Sequence, residues 1–178
     1  MRLDLHARTD LAIALIRRRM RTSIVRKITG IHPVILRELH HEIHGCKPVS
    51  GQLPSSNGIL HTPLTQASAS VFAALYRSFG GADIHKAVDV DALVKAHDLY
   101  VDQFGGLSSS GRPGVPVDIT QAWIIARDLT TRIARSQFCD RCQVHYLIAD
   151  LPRTPPTCPI CVLKRAHPSS GSRKRRAA

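Results

Sequence analysis

Apolar residues at Ile13, Ile16, Met20, Ile24 and Ile28 recur at intervals of three and four, which predicts one helix over 10–28 with a single buried stripe. Arg17, Arg18, Arg19 and Arg21 flank that stripe and are expected in solvent. Gly30 interrupts the pattern, Pro33 suits the first turn of a second helix over 33–44, and Gly45 suits its C-terminal cap. Three Pro and three Gly make 45–63 an irregular connection. Thr62 followed by Pro63 then opens a helix to about 79, with Leu64, Ala67, Val71, Leu75 and Phe79 along one side. Val90, Leu93, Val94, His97, Val101 and Phe104 share a face of the next helix, over 89–104. A linker at 105–116 leads to a last long helix, capped by Asp118 and running to about 138, on which Ala122, Ile125, Ala126, Leu129 and Ile133 form a seam. Residues 144–148, VHYLI, are the one stretch that reads as strand, within a small hairpin.

This pattern predicts a mainly α protein. A multi-helix body over 1–136 carries a basic, helix-turn-helix-like pair at 11–44, and a small zinc-ribbon-like module with four cysteines follows at 137–166. The tail at 167–178 has no apolar periodicity and is expected to be disordered. Aromatic residues are only 4% of the chain, so Leu, Ile, Val and Ala must fill most of the interior.

Charge changes the picture of partners. The formal net charge is +12, and thirteen of the twenty-five Lys and Arg fall in two stretches without any acid: seven from Arg17 to Arg37 and six from Val162 to Ala178. A polyanion is the natural ligand of such stretches. The apolar run LAIALI at 11–16 is far short of the roughly 20 residues of a membrane span, and the first ten residues lack the pattern of a secretory signal. A cytoplasmic protein with no membrane partner is expected, with its thiols reduced.

Four of the five cysteines then become informative. Cys139, Cys142, Cys158 and Cys161 have the spacing C-x2-C-x15-C-x2-C, in which each short pair turns two sulfurs toward one ion and two such turns complete a tetrahedron. Such a closed site is structural, because zinc chemistry on a substrate needs an open position. Two redox-active dithiols, an iron–sulfur cluster, or His145 in place of one cysteine are the alternatives. Pro152, Pro155 and Pro156 separate the pairs, so the module is expected to fold only around its metal. Cys46 stands alone as a bystander thiol.

Residues 21–43 can be laid on a helix-turn-helix. Val25, Ile31, Leu36 and Leu39 would form its small core, and His32, Val34, Ile35 and Arg37 would lie near base edges in a major groove. Arg26 falls at the inner position where a small residue usually lets the helices approach, which predicts a wider crossing. The plainer reading is a helical hairpin with a solvated charged face. HHEIH at 40–44 does not fit a zinc protease, because Glu42 is two residues from each of His40 and His44 and points to the opposite side. His97 and Trp123 are expected to be packing residues. No Gly-rich phosphate loop, nucleophile elbow or clustered carboxylate pair is present in the sequence, so neither an enzyme nor a small-molecule substrate is expected.

Taken in order, RRRMRTSIVRKITGIHPVILRELHHEIHG, PVSGQLPSS, VDALVKAHDLYVDQF, TQAWIIARDL and the terminal cysteine spacing resemble the C subunit of the flagellar master transcriptional activator, the FlhC type, over about 11–166. The resemblance implies a DNA-binding activator that works with a smaller helical D subunit in a hetero-oligomer, recognises promoters of flagellar operons and recruits RNA polymerase. It also implies one structural zinc on Cys139, Cys142, Cys158 and Cys161. Charge and placement nominate Arg18, Arg19, Arg21, Arg26, Lys27 and Arg37 as DNA contacts, with Lys164 and Arg165 as phosphate clamps. A zinc-stabilised helical adaptor for an acidic protein partner is the competing expectation. An RNA-binding ribbon is disfavoured, because Phe138 and Tyr146 are the module's only aromatic residues.

Overall fold

A computed structural model describes residues 2–105, 117–150 and 157–166. The expected tail at 167–178, nearly all of the linker and the prolines at 152, 155 and 156 lie outside the described residues. The chain forms two compact units, Met1–Leu53 and Pro54–Ala178. No helix among the described residues is long and apolar enough to cross a membrane.

The first unit holds helices α1 (Arg2–Arg17), α2 (Thr22–Thr29) and α3 (Pro33–His44). The helix expected over 10–28 is therefore two helices with a corner between them. Arg19 adopts a left-handed conformation, φ 64°, and the Met20 N–H donates back to the Leu15 carbonyl at 3.1 Å. A left-handed non-glycine residue costs on the order of 1 kcal/mol, and the corner drives Met20 fully into the core. Ile16, Met20 and Ile24 are all buried, as their spacing predicts, but that spacing does not reveal that the chain turns between them.

Helices α2 and α3 are joined by Gly30, Ile31 and His32. Gly30 takes φ 72° and its N–H donates to the Arg26 carbonyl at 2.8 Å, a left-handed cap that favours glycine. Thr29 is buried and stitches the turn: its hydroxyl donates to the Val25 carbonyl at 2.8 Å and accepts from Ile31 N–H at 3.4 Å. Val25, Ile31 and Leu36 are buried, as a helix-turn-helix core requires, and Leu39 is half-buried. Arg26 does not occupy the inner position expected of it. It is exposed, and the inner positions of α2 belong to Val25 and Thr29.

The second unit contains a one-turn helix α4 (Ser56–Ile59), α5 (Pro63–Gly80), a 3-10 turn (Gly81–His85), α6 (Val90–Phe104), α7 (Ile119–Thr130), strands β1 (Ala134–Cys139) and β2 (Val144–Ala149), and α8 (Pro159–Ala166). Thr62 and Thr65 form a reciprocal capping box on α5, as do Asp118 and Gln121 on α7. Helix α7 is buried almost all round, including Ile124, Ile125 and Ala126, so it is the central helix of this unit. Its only fully buried carboxylate, among the described residues, is Asp128, which accepts from the Ser56 hydroxyl and pairs with Arg127 at 2.7 Å. Phe72 stacks on Tyr76 and meets Tyr100 edge-on, which locks α5 to α6.

Two expectations fail here for tertiary reasons. On α5 the buried face is Ala69, Phe72, Ala73 and Tyr76, whereas Leu64 and Phe79 from the expected stripe are exposed. The helix predicted to reach 138 ends at Thr130. Arg132 takes φ 61°, Ile133 is exposed, and the chain then enters β1, which pairs antiparallel with β2 from Ala134↔Ala149 to Cys139↔Val144. Strand β2 covers the expected 144–148. On its other side it is fastened to α5: Leu147 N–H donates to the Ser70 hydroxyl at 2.9 Å, and Gln66 Nε2 donates to the Leu147 carbonyl at 2.8 Å.

Candidate metal centre and basic helix pair

The first cysteine pair sits where the hairpin turns. Cys139 is the last residue of β1, and the chain reverses through Gln143, at φ 57°, whose N–H donates to the Cys139 carbonyl at 2.8 Å. This tight knuckle brings the Cys142 sulfur beside that of Cys139. The second pair is built on a helix start. Pro159 occupies the first position of α8, which favours proline, and Val162 N–H donates to the Cys158 carbonyl at 3.1 Å. Cys158 and Cys161 thus flank the first turn of α8.

All four sulfurs lie within 4.8 Å of one another. Cys139 and Cys161 are 3.8 Å apart, and Cys142 and Cys158 are 3.5 Å apart. A tetrahedral ion with sulfurs at about 2.3 Å requires edges of about 3.8 Å. The two closest-paired separations match that edge, and the four thiols together could hold a single metal ion. Tyr146, Ile148 and Cys158 form a small buried cluster beside the site, and Ile160 packs against it.

The electrostatics agree with a site completed by a cation. The Cys139 thiol is lowered to about 7, chiefly because the Cys142 backbone N–H donates to its sulfur. Desolvation first, and the neighbouring sulfurs second, push Cys142 up to about 12. Desolvation also raises Cys161. Four negative sulfurs cannot crowd together unaided, and a bound cation removes that penalty. His145 is not part of the group. Strand alternation puts it on the face of β2 opposite Tyr146, where it approaches the Ser136 hydroxyl at 3.3 Å and the Phe138 ring at 5.0 Å. Cys46 is exposed and separate from the quartet.

The basic residues fall into distinct classes. Arg26 and Lys27 occupy the exposed last turn of α2, and Arg37 is exposed near the start of α3. His32, Val34 and Ile35 are exposed beside Arg37, and His32 caps α3 by accepting from Val34 N–H at 3.4 Å. Arg19 is exposed at the corner after α1. Arg18 and Arg21 are half-buried and hold backbone: Arg18 donates to the Ala14 carbonyl at 2.8 Å, and Arg21 donates to the carbonyls of Gly51 and Gln52, each at 3.0 Å. Lys164 and Arg165 are exposed in the last turn of α8, where cations also complement the helix dipole.

Other singled-out residues have local partners. His44 Nε2 donates to the Ile16 carbonyl at 2.7 Å and His40 Nδ1 to the Cys46 carbonyl at 3.0 Å, tying α3 to α1 and to its own C-terminal loop. His97 and Trp123 are buried. Sequence reasoning missed Gln66 and Ser70, which hold β2 in place; their partner lies about eighty residues away, so no local signal identifies them.

Comparison with known proteins supplies the biological context. A family model described as "Flagellar transcriptional activator (FlhC)" matches residues 4–178. The flagellar transcriptional regulator FlhC of Enterobacter cloacae is 24% identical over 153 residues, covering 85% of this chain and 78% of that protein. Its counterpart in Nitrosomonas eutropha is 23% identical over 170 residues, covering 95% and 84%. That of Erwinia tasmaniensis is 25% identical over 170 residues, covering 92% of each. The match over nearly the whole sequence carries the assignment: the chain belongs to the FlhC family of flagellar transcriptional activators.

Proposed function

We propose that this flagellar transcriptional regulator acts by binding promoter DNA through the α2–α3 pair, as a non-enzymatic protein of the cytoplasm. The observation that carries the reading is the outward presentation of His32, Val34, Ile35 and Arg37 from a helix held by the three-residue turn after α2. Arg19, Arg26 and Lys27 are exposed around the same helix pair and supply phosphate contacts, whereas Arg18 and Arg21 hold the backbone that positions them. Lys164 and Arg165 supply a further phosphate contact from α8.

In this reading the cysteine quartet holds one zinc ion, whose four thiolates leave no position for substrate. Zinc makes the module rigid and takes no part in chemistry. A helical D subunit completes the DNA-binding assembly, which then recruits RNA polymerase to flagellar operons.

Mobility shifts on flagellar-promoter and scrambled duplexes test the reading. Arg37→Ala is expected to cost about 1–3 kcal/mol on the specific site and much less on scrambled DNA. Lys164→Ala is expected to weaken both alike and to flatten the salt slope by about one unit. Equal binding of the two duplexes by the wild-type chain, alone and with the D subunit, would leave the adaptor reading in its place. Metal analysis with absorption spectroscopy separates zinc from an iron–sulfur cluster.

A further inference from the structure

We infer that the first turn of α3 reads thymine methyl groups, with Val34 and Ile35 as the specificity-determining contacts. The inference rests on the DNA-binding reading above and goes further, to the class of base recognised. Val34 is 43% exposed and Ile35 48% exposed, adjacent to each other in the first turn of α3. Leu36 alone in that turn is fully buried, so the two aliphatic side chains do not serve the core of this unit. Both are β-branched, with χ1 largely fixed in a helix, so an apolar contact made by them loses little side-chain entropy.

Charge decides which part of DNA they meet. Arg19, Arg26, Lys27 and Arg37 are exposed around the helix pair and draw a polyanion to it. Glu38, however, lies one turn beyond Val34 on the same outward face of α3 and is also exposed. A carboxylate in the middle of that face would be repelled by a row of phosphates. Base edges in the major groove instead offer amino donors, on cytosine and adenine, that a carboxylate can accept from. Thymine is the one unmodified base that presents a methyl group there, and aliphatic side chains are its natural partners. The combination of two exposed aliphatics, a neighbouring carboxylate and a cationic surround therefore fits base edges with thymine at the centre better than it fits a phosphate track.

The experiment uses the full chain together with the D subunit and the flagellar-promoter duplex that they retard. Thymine is replaced by deoxyuridine in successive short windows, which removes the methyl and keeps the base pairing. One window is expected to weaken binding by about fourfold for each contacted methyl. In the Val34→Ala, Ile35→Ala double variant that window loses its effect, while the salt dependence stays that of the wild type. Both positions are exposed, and the deoxyuridine comparison on the wild-type chain needs no variant to fold. Binding unchanged by deoxyuridine in every window overturns the inference and leaves the DNA-binding reading intact. So does a loss that persists undiminished in the double variant, or a double variant whose only defect is altered assembly with a protein partner. A wild-type chain that, both alone and with the D subunit, does not distinguish promoter from scrambled DNA overturns the DNA-binding reading and this inference with it.

Discussion

The α2–α3 pair and the cysteine module are of similar length but hold their shape by different means. The helix pair draws on burial: Ile24, Val25, Ile31 and Leu36, like Ala12, Leu15, Ile16 and Met20 of the same unit, are each 8% exposed or less. Among the described residues, Tyr146, Ile148 and Cys158 form the small buried cluster beside the sulfurs, with four thiols converging on one point. Fully burying an aliphatic side chain contributes about 1.5–3 kcal/mol, so the first region spreads its stability over many contacts. A structural zinc ion, if the quartet holds one, would contribute about 10–16 kcal/mol at a single point. One region should therefore weaken gradually under substitution, and the other should fail all at once.

Metal removal gives the largest expected effect. A strong chelator should strip a contribution comparable to the roughly 5–15 kcal/mol stability of a whole domain. The amides of 144–149 should lose hydrogen-exchange protection and the four cysteines should react with thiol reagents, while 22–44 stays protected. Unreactive thiols in metal-free, fully protected protein would erase the contrast between the two regions. Next is Leu36→Ala, expected to cost about 3 kcal/mol through a cavity at a fully buried site. Denaturant unfolding should report that loss, and metal content should not change. The smallest effect is that of Gly30→Ala. At φ 72° a side chain is strained, but the nearest group to the added Cβ is Arg8 Nη1 at 3.9 Å, so the cost is about 1 kcal/mol of backbone conformation. Gly30→Asn should recover part of it, since asparagine tolerates the left-handed region. A larger loss for either would show that the turn is held by contacts rather than by its dihedral angles.

What could be read from the sequence depended on the distance over which each signal acts. Pro33, Gly45, Thr62 and Asp118 mark helix ends by local chemistry, and α3 spans 33–44 as expected. The cysteine spacing likewise predicts the convergence of the four sulfurs, because the knuckle and the start of α8 are each set by neighbours in the chain. The corner at Arg19 was not legible, because no glycine or proline marks it and the apolar stripe continues through it. Nor was β1, since Ala134–Cys139 is mostly exposed and becomes a strand by pairing with β2. The buried face of α5 is chosen by α6 and β2, which the periodicity of α5 alone does not contain. The same limit applied to the cations: charge placed Arg18 and Arg21 with Arg26 and Lys27, whereas burial separates the first two from the second, and Arg21 reaches the carbonyls of Gly51 and Gln52, thirty and thirty-one residues away.

The fastening of Leu147 has a consequence for how this protein keeps to itself. A two-stranded ribbon ordinarily offers its outer border to any extended peptide, and so invites a third strand from a neighbouring molecule. Here Gln66 and Ser70 occupy the amide and carbonyl that such a strand would need at the middle of β2. That border is thereby withdrawn from strand addition and from the aggregation that begins with it.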